Sequence, residues 1–173
     1  MAEWQNFERR HIALTVLRSF MTGFLVLVAY FTVPVNDHLE GFAILTRLGV
    51  GLAFFLAVLA FEVRAILRAD RPMLRATDAM ALVIPLFIVV FAWTYLTMSL
   101  SSHRSFGGRL SRADALYFTV TVFATVGFGD ITAKTDAARL VVTGQMILDL
   151  IVIAVVVRLI FGAARRVPSP PPE

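Results

Sequence analysis

Residues 125–130, reading Thr-Val-Gly-Phe-Gly-Asp, have the types and spacing best suited to binding an ion. Glycine at the alternate positions 127 and 129 allows left-handed backbone angles at little steric cost. A strand that alternates in hand directs successive carbonyl oxygens toward one axis, where they can replace the hydration shell of a cation. Val126 and Phe128 would then point away from that axis, and the Thr125 hydroxyl would supply the innermost oxygen ligand.

A short segment, residues 112–124, leads directly into this stretch. It is only about three and a half helical turns long, which is too short to cross a bilayer. A half-helix of this kind is tolerated at membrane depth only where protein surrounds it or where it lines a watery cavity. Ser111 and Asp114 have the spacing of a capping box at its start. We therefore expect a re-entrant pore helix whose negative dipole end faces a cation.

The composition indicates that the membrane is the solvent of this chain. Hydrophobic residues make up 58% of the 173 residues, and the mean hydropathy is +0.79, well above that of a soluble domain. About 20 apolar residues are needed for one crossing. Four segments reach that length, at about residues 12–33, 41–67, 79–100 and 137–161. The expected fold is an all-α membrane protein with four transmembrane helices, a re-entrant pore helix and a filter loop.

The distribution of arginine predicts the orientation of the chain. The N-terminal residues 1–10, the linker between the second and third crossings, and the proline-rich tail all carry arginine. The loop after the first crossing is acidic, with no basic residue until Arg47. Because basic residues favour the cytoplasmic side, both termini are expected inside a multi-pass protein of the cell membrane. The rule weakens near the candidate filter, where a folded re-entrant structure also holds basic residues.

Four arginines recur at spacings of four, three and four, which would place them on one helical face: Arg64, Arg68, Arg71 and Arg75. This pattern favours an interfacial linker that contacts anionic lipid headgroups. A remnant voltage sensor is the alternative, but Pro72 interrupts the run and a sensor needs its arginines well inside the membrane field.

Several other functions are disfavoured by the sequence. The pI of about 10.3 arises from fifteen arginines and one lysine, but these lie mainly at the ends of apolar segments, so nucleic acid is not an expected partner. The chain has no cysteine and no evident phosphate-binding loop, metal cluster or nucleophile–base pair. We expect no enzymatic activity and no cofactor other than bound cations.

Residues 79–161 resemble the pore module of the tetrameric potassium-channel superfamily. The resemblance is most specific over 114–130, where Asp-Ala-Leu-Tyr-Phe is followed by Thr-Val-Gly-Phe-Gly-Asp. It implies a fourfold homotetramer that conducts potassium passively, each chain contributing one filter strand. The residues that would bind K⁺ are Thr125, Val126, Gly127 and Phe128, with Gly129 completing the filter.

The apolar spans, the arginine distribution and the resemblance together predict the organisation of the chain. Residues 1–10 would be a cytoplasmic N-terminus, and 11–77 would hold two additional helices and the arginine-rich linker. The pore domain would occupy residues 78–162, followed by a disordered cytoplasmic tail at 163–173. Two alternatives stay open: a weakly selective cation channel, and a non-conducting membrane interaction protein.

Two residues are expected from the resemblance to support the filter. Asp130 would brace it from its extracellular end, and Thr121 occupies a position where some relatives carry a glutamate bonded to that aspartate. Phe128 replaces the commoner tyrosine and so lacks a hydroxyl that would bond back to the pore helix. One hydrogen bond contributes about 1 kcal/mol, so the filter would be less tightly braced, and the sequence leaves open whether its inactivation changes.

Asp149, in the middle of the last apolar segment, is a candidate for cavity or gating function. An ionisable residue at bilayer depth costs about 2.5–3.5 kcal/mol or more, which makes it a functional candidate by default. Gln145 shares its helical face. Four Asp149 carboxylates could form an acidic ring in the cavity, or each could hydrogen-bond a neighbouring helix or become protonated. By resemblance Asp149 stands at the hinge-glycine position, and Gly144 is a second candidate hinge.

Overall fold

The computed structural model describes residue 17 and residues 19–33, 41–69 and 72–164. The described residues form helices joined by loops and contain no β-strand, which confirms the predicted all-α class. The helices are α1 (Ser19–Thr32), α2 (Gly41–Leu67), α3 (Pro72–Ser101), α4 (Arg112–Phe123) and α5 (Asp136–Ala164).

Three of these helices contain stretches that are long and apolar enough to cross a membrane: Ala43–Leu67, Arg75–Ser101 and Asp136–Arg158. The described part of α1 is shorter, and the first five residues of the predicted first crossing, 12–16, lie outside the described residues. The 12-residue α4 is too short to span. Helix α5 continues to Ala164, so the tail begins later than predicted; residues 1–10 and 165–173 are not among the described ones.

Helix α3 begins earlier than the sequence analysis predicted, at Pro72. Proline is favoured at the first position of a helix, because its fixed φ suits the helix and the missing N–H would be unpaired there anyway. Helix α2 has already ended at Leu67, so Arg64 and Arg75 belong to different helices. The prediction that the arginines share one continuous helical face is therefore wrong; Arg71 lies outside the described residues.

An ion pair joins the adjacent ends of α2 and α3. Arg75 Nη2 lies 2.8 Å from Glu62 Oε2, without an aligned hydrogen bond, and the Glu62 side chain is buried. Removing one partner of such a pair would leave an uncompensated buried charge. Arg75 thus neutralises a carboxylate inside the protein, whereas Arg64 and Arg68 remain exposed.

Helix α3 is the centre of the structure, since it packs against α2, α4 and α5. A series of aromatic rings runs along it, with centroid separations of 5.0 Å for Phe87–Phe91 and 6.2 Å for Phe91–Tyr95. Phe55 of α2 meets Phe87 at 5.2 Å, and Phe118 of α4 meets Tyr95 at 5.1 Å. These edge and tilted contacts are the preferred geometry of aromatic pairs, and they fix α4 against α3.

The end of α1 is attached to the beginning of α4. The Tyr30 hydroxyl donates a hydrogen bond to the Arg112 carbonyl oxygen at 2.7 Å. In return, the Arg112 guanidinium donates to the Tyr30 carbonyl and, at 2.8 Å, to the Val33 carbonyl. A cation that pairs with the last carbonyls of a helix satisfies their missing donors and opposes the negative dipole end. Helix α1 therefore helps to set where α4 begins.

We expect Arg112→Gln to lower the free energy of unfolding by about 2 kcal/mol, because two charge-assisted hydrogen bonds to α1 are lost. Denaturant unfolding of the purified protein in detergent, followed by circular dichroism, would measure this. The matched control is Arg104→Gln, which changes an exposed arginine in the α3–α4 loop and should leave stability unchanged. Equal effects of the two substitutions would contradict the role of the α1–α4 attachment.

Candidate functional site: the filter loop and the helices that hold it

The beginning of α4 is fixed by the predicted capping box. The backbone N–H of Asp114 donates to Ser111 Oγ at 3.1 Å, and the backbone N–H of Ser111 donates to Asp114 Oδ2 at 2.9 Å. These hydrogen bonds hold the pKa of Asp114 below its usual value, which favours the charged carboxylate at the positive end of the helix. The cap thus sets the first turn of the helix that leads into residues 125–130, here called the filter loop.

The backbone of the filter loop has a positive φ at every second residue. A carbonyl ladder, meaning a row of backbone oxygens directed at one axis, requires this alternation. Thr125, Gly127 and Gly129 have φ angles of 58°, 53° and 81°. Thr125 is the only residue other than glycine with a positive φ in the described part of the chain. A left-handed conformation strains a β-branched residue, so the surroundings must hold it in place.

Hydrogen bonds from the last turn of α4 hold this conformation. The Thr125 N–H donates to the Val122 carbonyl at 2.9 Å. The next two N–H groups, of Val126 and Gly127, donate to the single carbonyl oxygen of Thr121 at 2.9 and 3.2 Å. The Thr121 hydroxyl donates to the Phe118 carbonyl at 2.8 Å, within its own helix. Thr121 therefore contacts the filter loop through its backbone oxygen, and its side chain does not take the place of a glutamate bonded to Asp130.

Tyr117 is a contact of the filter loop that the sequence analysis missed. The neighbouring Asp130 carboxylate raises the pKa of its hydroxyl. Its ring lies nearly parallel to that of Phe128, with 6.3 Å between centroids and an angle of 4°. A phenol of α4 therefore lies beside two residues of the filter loop, although Phe128 itself lacks a hydroxyl. The available signal was its position one helical turn before Thr121, on the same face of α4.

The filter-loop side chains are exposed in a single chain. Val126 is 53% and Phe128 is 70% accessible. An exposed valine and an exposed phenylalanine on a strained backbone are unusual in a surface loop. Large exposed apolar side chains of this kind mark an interaction surface.

Asp149 and Gln145 belong to a buried polar network that joins three helices. The Tyr95 hydroxyl of α3 donates to Gln145 Oε1 at 2.6 Å. Gln145 Nε2 lies 3.3 Å from Asp149 Oδ2 and 3.3 Å from the Thr119 carbonyl of α4. Tyr95 and Gln145 are completely buried. The network thus fixes the middle of α5 against both α3 and α4.

This placement decides between the two alternatives for Asp149. Its side chain is 2% exposed within a single chain, so it points toward α3 and α4 and not into a central cavity. In a single chain this position favours the alternative of a hydrogen bond inside the protein over the predicted acidic ring. Its second oxygen, Oδ1, has no hydrogen-bond partner among the described residues. Around Gly144 a Cβ would meet no atom within 4 Å, so this glycine serves no close packing in the chain.

The comparison with known protein families agrees with this geometry. Residues 83–166 match the model of a family described as ion channel. The match covers α3 from its middle, α4, the filter loop and α5. This segment, 84 of the 173 residues, is therefore similar to ion channels. No solved structure matches the chain significantly.

We expect Gln145→Leu to lower the free energy of unfolding by about 3 kcal/mol. The substitution leaves the Tyr95 hydroxyl, the Asp149 carboxylate and the Thr119 carbonyl without this partner in a buried region. Denaturant unfolding in detergent would measure the change. Met146→Leu, at the neighbouring half-exposed position, is the control and should have little effect. The network would not be stabilising if the two variants unfolded at the same denaturant concentration.

Proposed function

We propose that this protein is a potassium-selective channel that conducts K⁺ passively as a homotetramer. The observation that carries the proposal is the alternation of positive φ at Thr125, Gly127 and Gly129, in a loop held by the end of a capped short helix. In this arrangement the four strands of a fourfold assembly would direct their carbonyl oxygens at one axis.

Conduction would proceed by exchange of water for backbone oxygen. Carbonyls of Thr125, Val126, Gly127 and Phe128, together with the Thr125 hydroxyl, would coordinate dehydrated K⁺, and repulsion between ions in adjacent sites would drive release. The C-terminal end of α4 lies just before the loop, so its negative dipole end would favour a cation in the cavity. Because α4 is too short to span the membrane, it would reach this position by entering the membrane and leaving it on the same side.

The exposure of apolar residues supports assembly of several chains. Besides Val126 and Phe128, helix α5 exposes a row of large aliphatic side chains that includes Ile147, Leu150 and Ile151. Neighbouring chains around a fourfold axis would cover the filter loop and part of α5. In the proposed topology the filter end faces outward in the cell membrane and both termini lie inside, with exposed Arg64 and Arg68 near anionic headgroups.

A weakly selective cation channel is the second candidate, and Phe128 is the observation that favours it. The phenylalanine cannot donate a hydrogen bond to the pore helix, so the filter has one brace fewer than it would with tyrosine. Tyr117 of α4 lies beside both Phe128 and Asp130, and a hydrogen bond from its hydroxyl to the Asp130 carboxylate would compensate for this loss, which is why we favour potassium selectivity.

Ion flux into liposomes that contain the purified protein tests the proposal. We expect K⁺ flux that is blocked by barium and exceeds Na⁺ flux by at least about tenfold, which corresponds to about 1.4 kcal/mol of discrimination. Equal K⁺ and Na⁺ fluxes would favour the weakly selective channel. Absence of any flux from correctly assembled protein would favour a non-conducting interaction protein.

Two glycine substitutions separate backbone strain from steric clash. A Cβ would meet no atom within 4 Å at either Gly129 or Gly108, but only Gly129 has a positive φ, of 81°. Alanine in the left-handed region costs about 1–2 kcal/mol per chain, so Gly129→Ala should abolish selective flux. Gly108→Ala should leave flux unchanged. Wild-type flux from Gly129→Ala would contradict the carbonyl ladder.

We propose that the Tyr117 hydroxyl donates to Asp130 in the assembled filter, and we expect Tyr117→Phe to accelerate inactivation about fivefold, because a hydrogen bond of about 1 kcal/mol from α4 to each filter strand would be lost. The decay of K⁺ current in planar bilayers measures this. Phenylalanine retains the ring that lies parallel to Phe128, so the substitution removes the hydroxyl alone. Asp130→Ala combined with Tyr117→Phe should add little to either single change, since both remove the same contact. An unchanged rate of decay in Tyr117→Phe would exclude the proposed brace.

A further inference from the structure

A groove of about 620 Å³ lies between α2 and α3, beside the end of α1 and away from the filter loop. Its lining is mainly aliphatic and aromatic, and it includes Phe54 of α2 and Leu86 of α3. The two helices contain candidate membrane spans, so this volume is at membrane depth and accessible from lipid. Its surroundings therefore favour an apolar occupant.

The groove is polar at one end and apolar at the other. Arg47 and Thr46 of α2 line it together with Thr97 of α3 and Val33, which follows α1. This polar end is on the side of the filter loop, because Val33 is bonded to Arg112 at the beginning of α4. Leu86 precedes Thr97 by eleven residues on α3, so the apolar end lies about 16 Å deeper along the helix.

Two hydrogen-bond donors at the groove have no partner within the part of the chain that the structure describes. The guanidinium of Arg47 is exposed and forms no ion pair with another described residue. The indole Nε1 of Trp93, which also lines the groove, is buried without a hydrogen bond. An unpaired buried donor is unfavourable unless an acceptor oxygen reaches it.

We propose that this groove binds an anionic membrane phospholipid, with one acyl chain between α2 and α3 and the phosphate at Arg47. The cationic end accounts for the negative headgroup, and the apolar depth accounts for the chain. A phospholipid is the amphiphile that two spanning helices meet throughout the bilayer. The site depends on the membrane location of α2 and α3 and is independent of which ion is conducted.

Fluorescence of Trp93 reports occupancy directly. The chain has two tryptophans, Trp4 and Trp93, so a Trp4→Phe background leaves one reporter at the groove. The protein would be reconstituted in vesicles that mix unlabelled lipid with either phosphatidylglycerol or phosphatidylcholine brominated on the acyl chains. We expect bromine quenching to give a relative binding constant about fivefold higher for the anionic lipid, as expected for one basic contact.

The variants isolate the contribution of Arg47. Arg47→Gln should reduce the ratio of anionic to zwitterionic binding to about one, whereas Arg47→Lys should keep most of it because the charge remains. Arg104→Gln is the matched control, since it removes an exposed arginine outside the groove. An unchanged preference in Arg47→Gln, or no preference in the parent protein, would overturn the proposal.

The size of the groove gives a second, independent test. Val50→Phe, at an exposed position of the lining, should lower quenching by both brominated lipids, because it fills the space of the acyl chain. Full quenching in this variant would show that the lipids reach Trp93 from outside the groove and would contradict the proposal. Displacement of the brominated phospholipid by an equimolar free fatty acid would overturn a phospholipid as the occupant.

Discussion

The structure of the filter loop depends on one carbonyl oxygen, that of Thr121, which accepts the N–H groups of both Val126 and Gly127. These hydrogen bonds turn the chain out of α4 immediately after Thr125 has entered the left-handed region. Strain at a β-branched residue persists only where the surroundings determine its backbone. The rest of the protein can be understood as the means of holding α4, and therefore this oxygen, in place.

Helix α4 is held at its beginning, its side and its end by different interactions. Arg112 attaches its beginning to α1, and the aromatic contact between Phe118 and Tyr95 fixes its side against α3. Gln145 then connects α3, α4 and α5 through hydrogen bonds to Tyr95, the Thr119 carbonyl and Asp149. Because that network is buried, a large displacement of α5 would have to break it. Asp149 is therefore linked to α4 through Gln145 within a single chain.

Local signals predicted the parts of the structure that local interactions determine. The Ser111–Asp114 cap and the bounds of α2 follow from residue types at short spacings, and so does the placement of glycine in the filter loop. Pairs that are distant in sequence could not be predicted, because several basic residues could have paired with Glu62 and nothing local linked Tyr30 to Arg112. The direction of Asp149 was ambiguous for a different reason: α5 is apolar on nearly all faces, so periodicity did not show which face is buried.

The potassium selectivity of a carbonyl ladder at residues 125–129 is the central claim. The most direct test is the reversal potential of single channels in a planar bilayer, with K⁺ on one side and Na⁺ on the other at equal concentrations. Selective conduction predicts a large potential, with the K⁺ side becoming negative. A preference of about tenfold for K⁺ over Na⁺ corresponds to a free-energy difference of about 1.4 kcal/mol between the two ions. A reversal potential near zero, with open channels present, would contradict the claim.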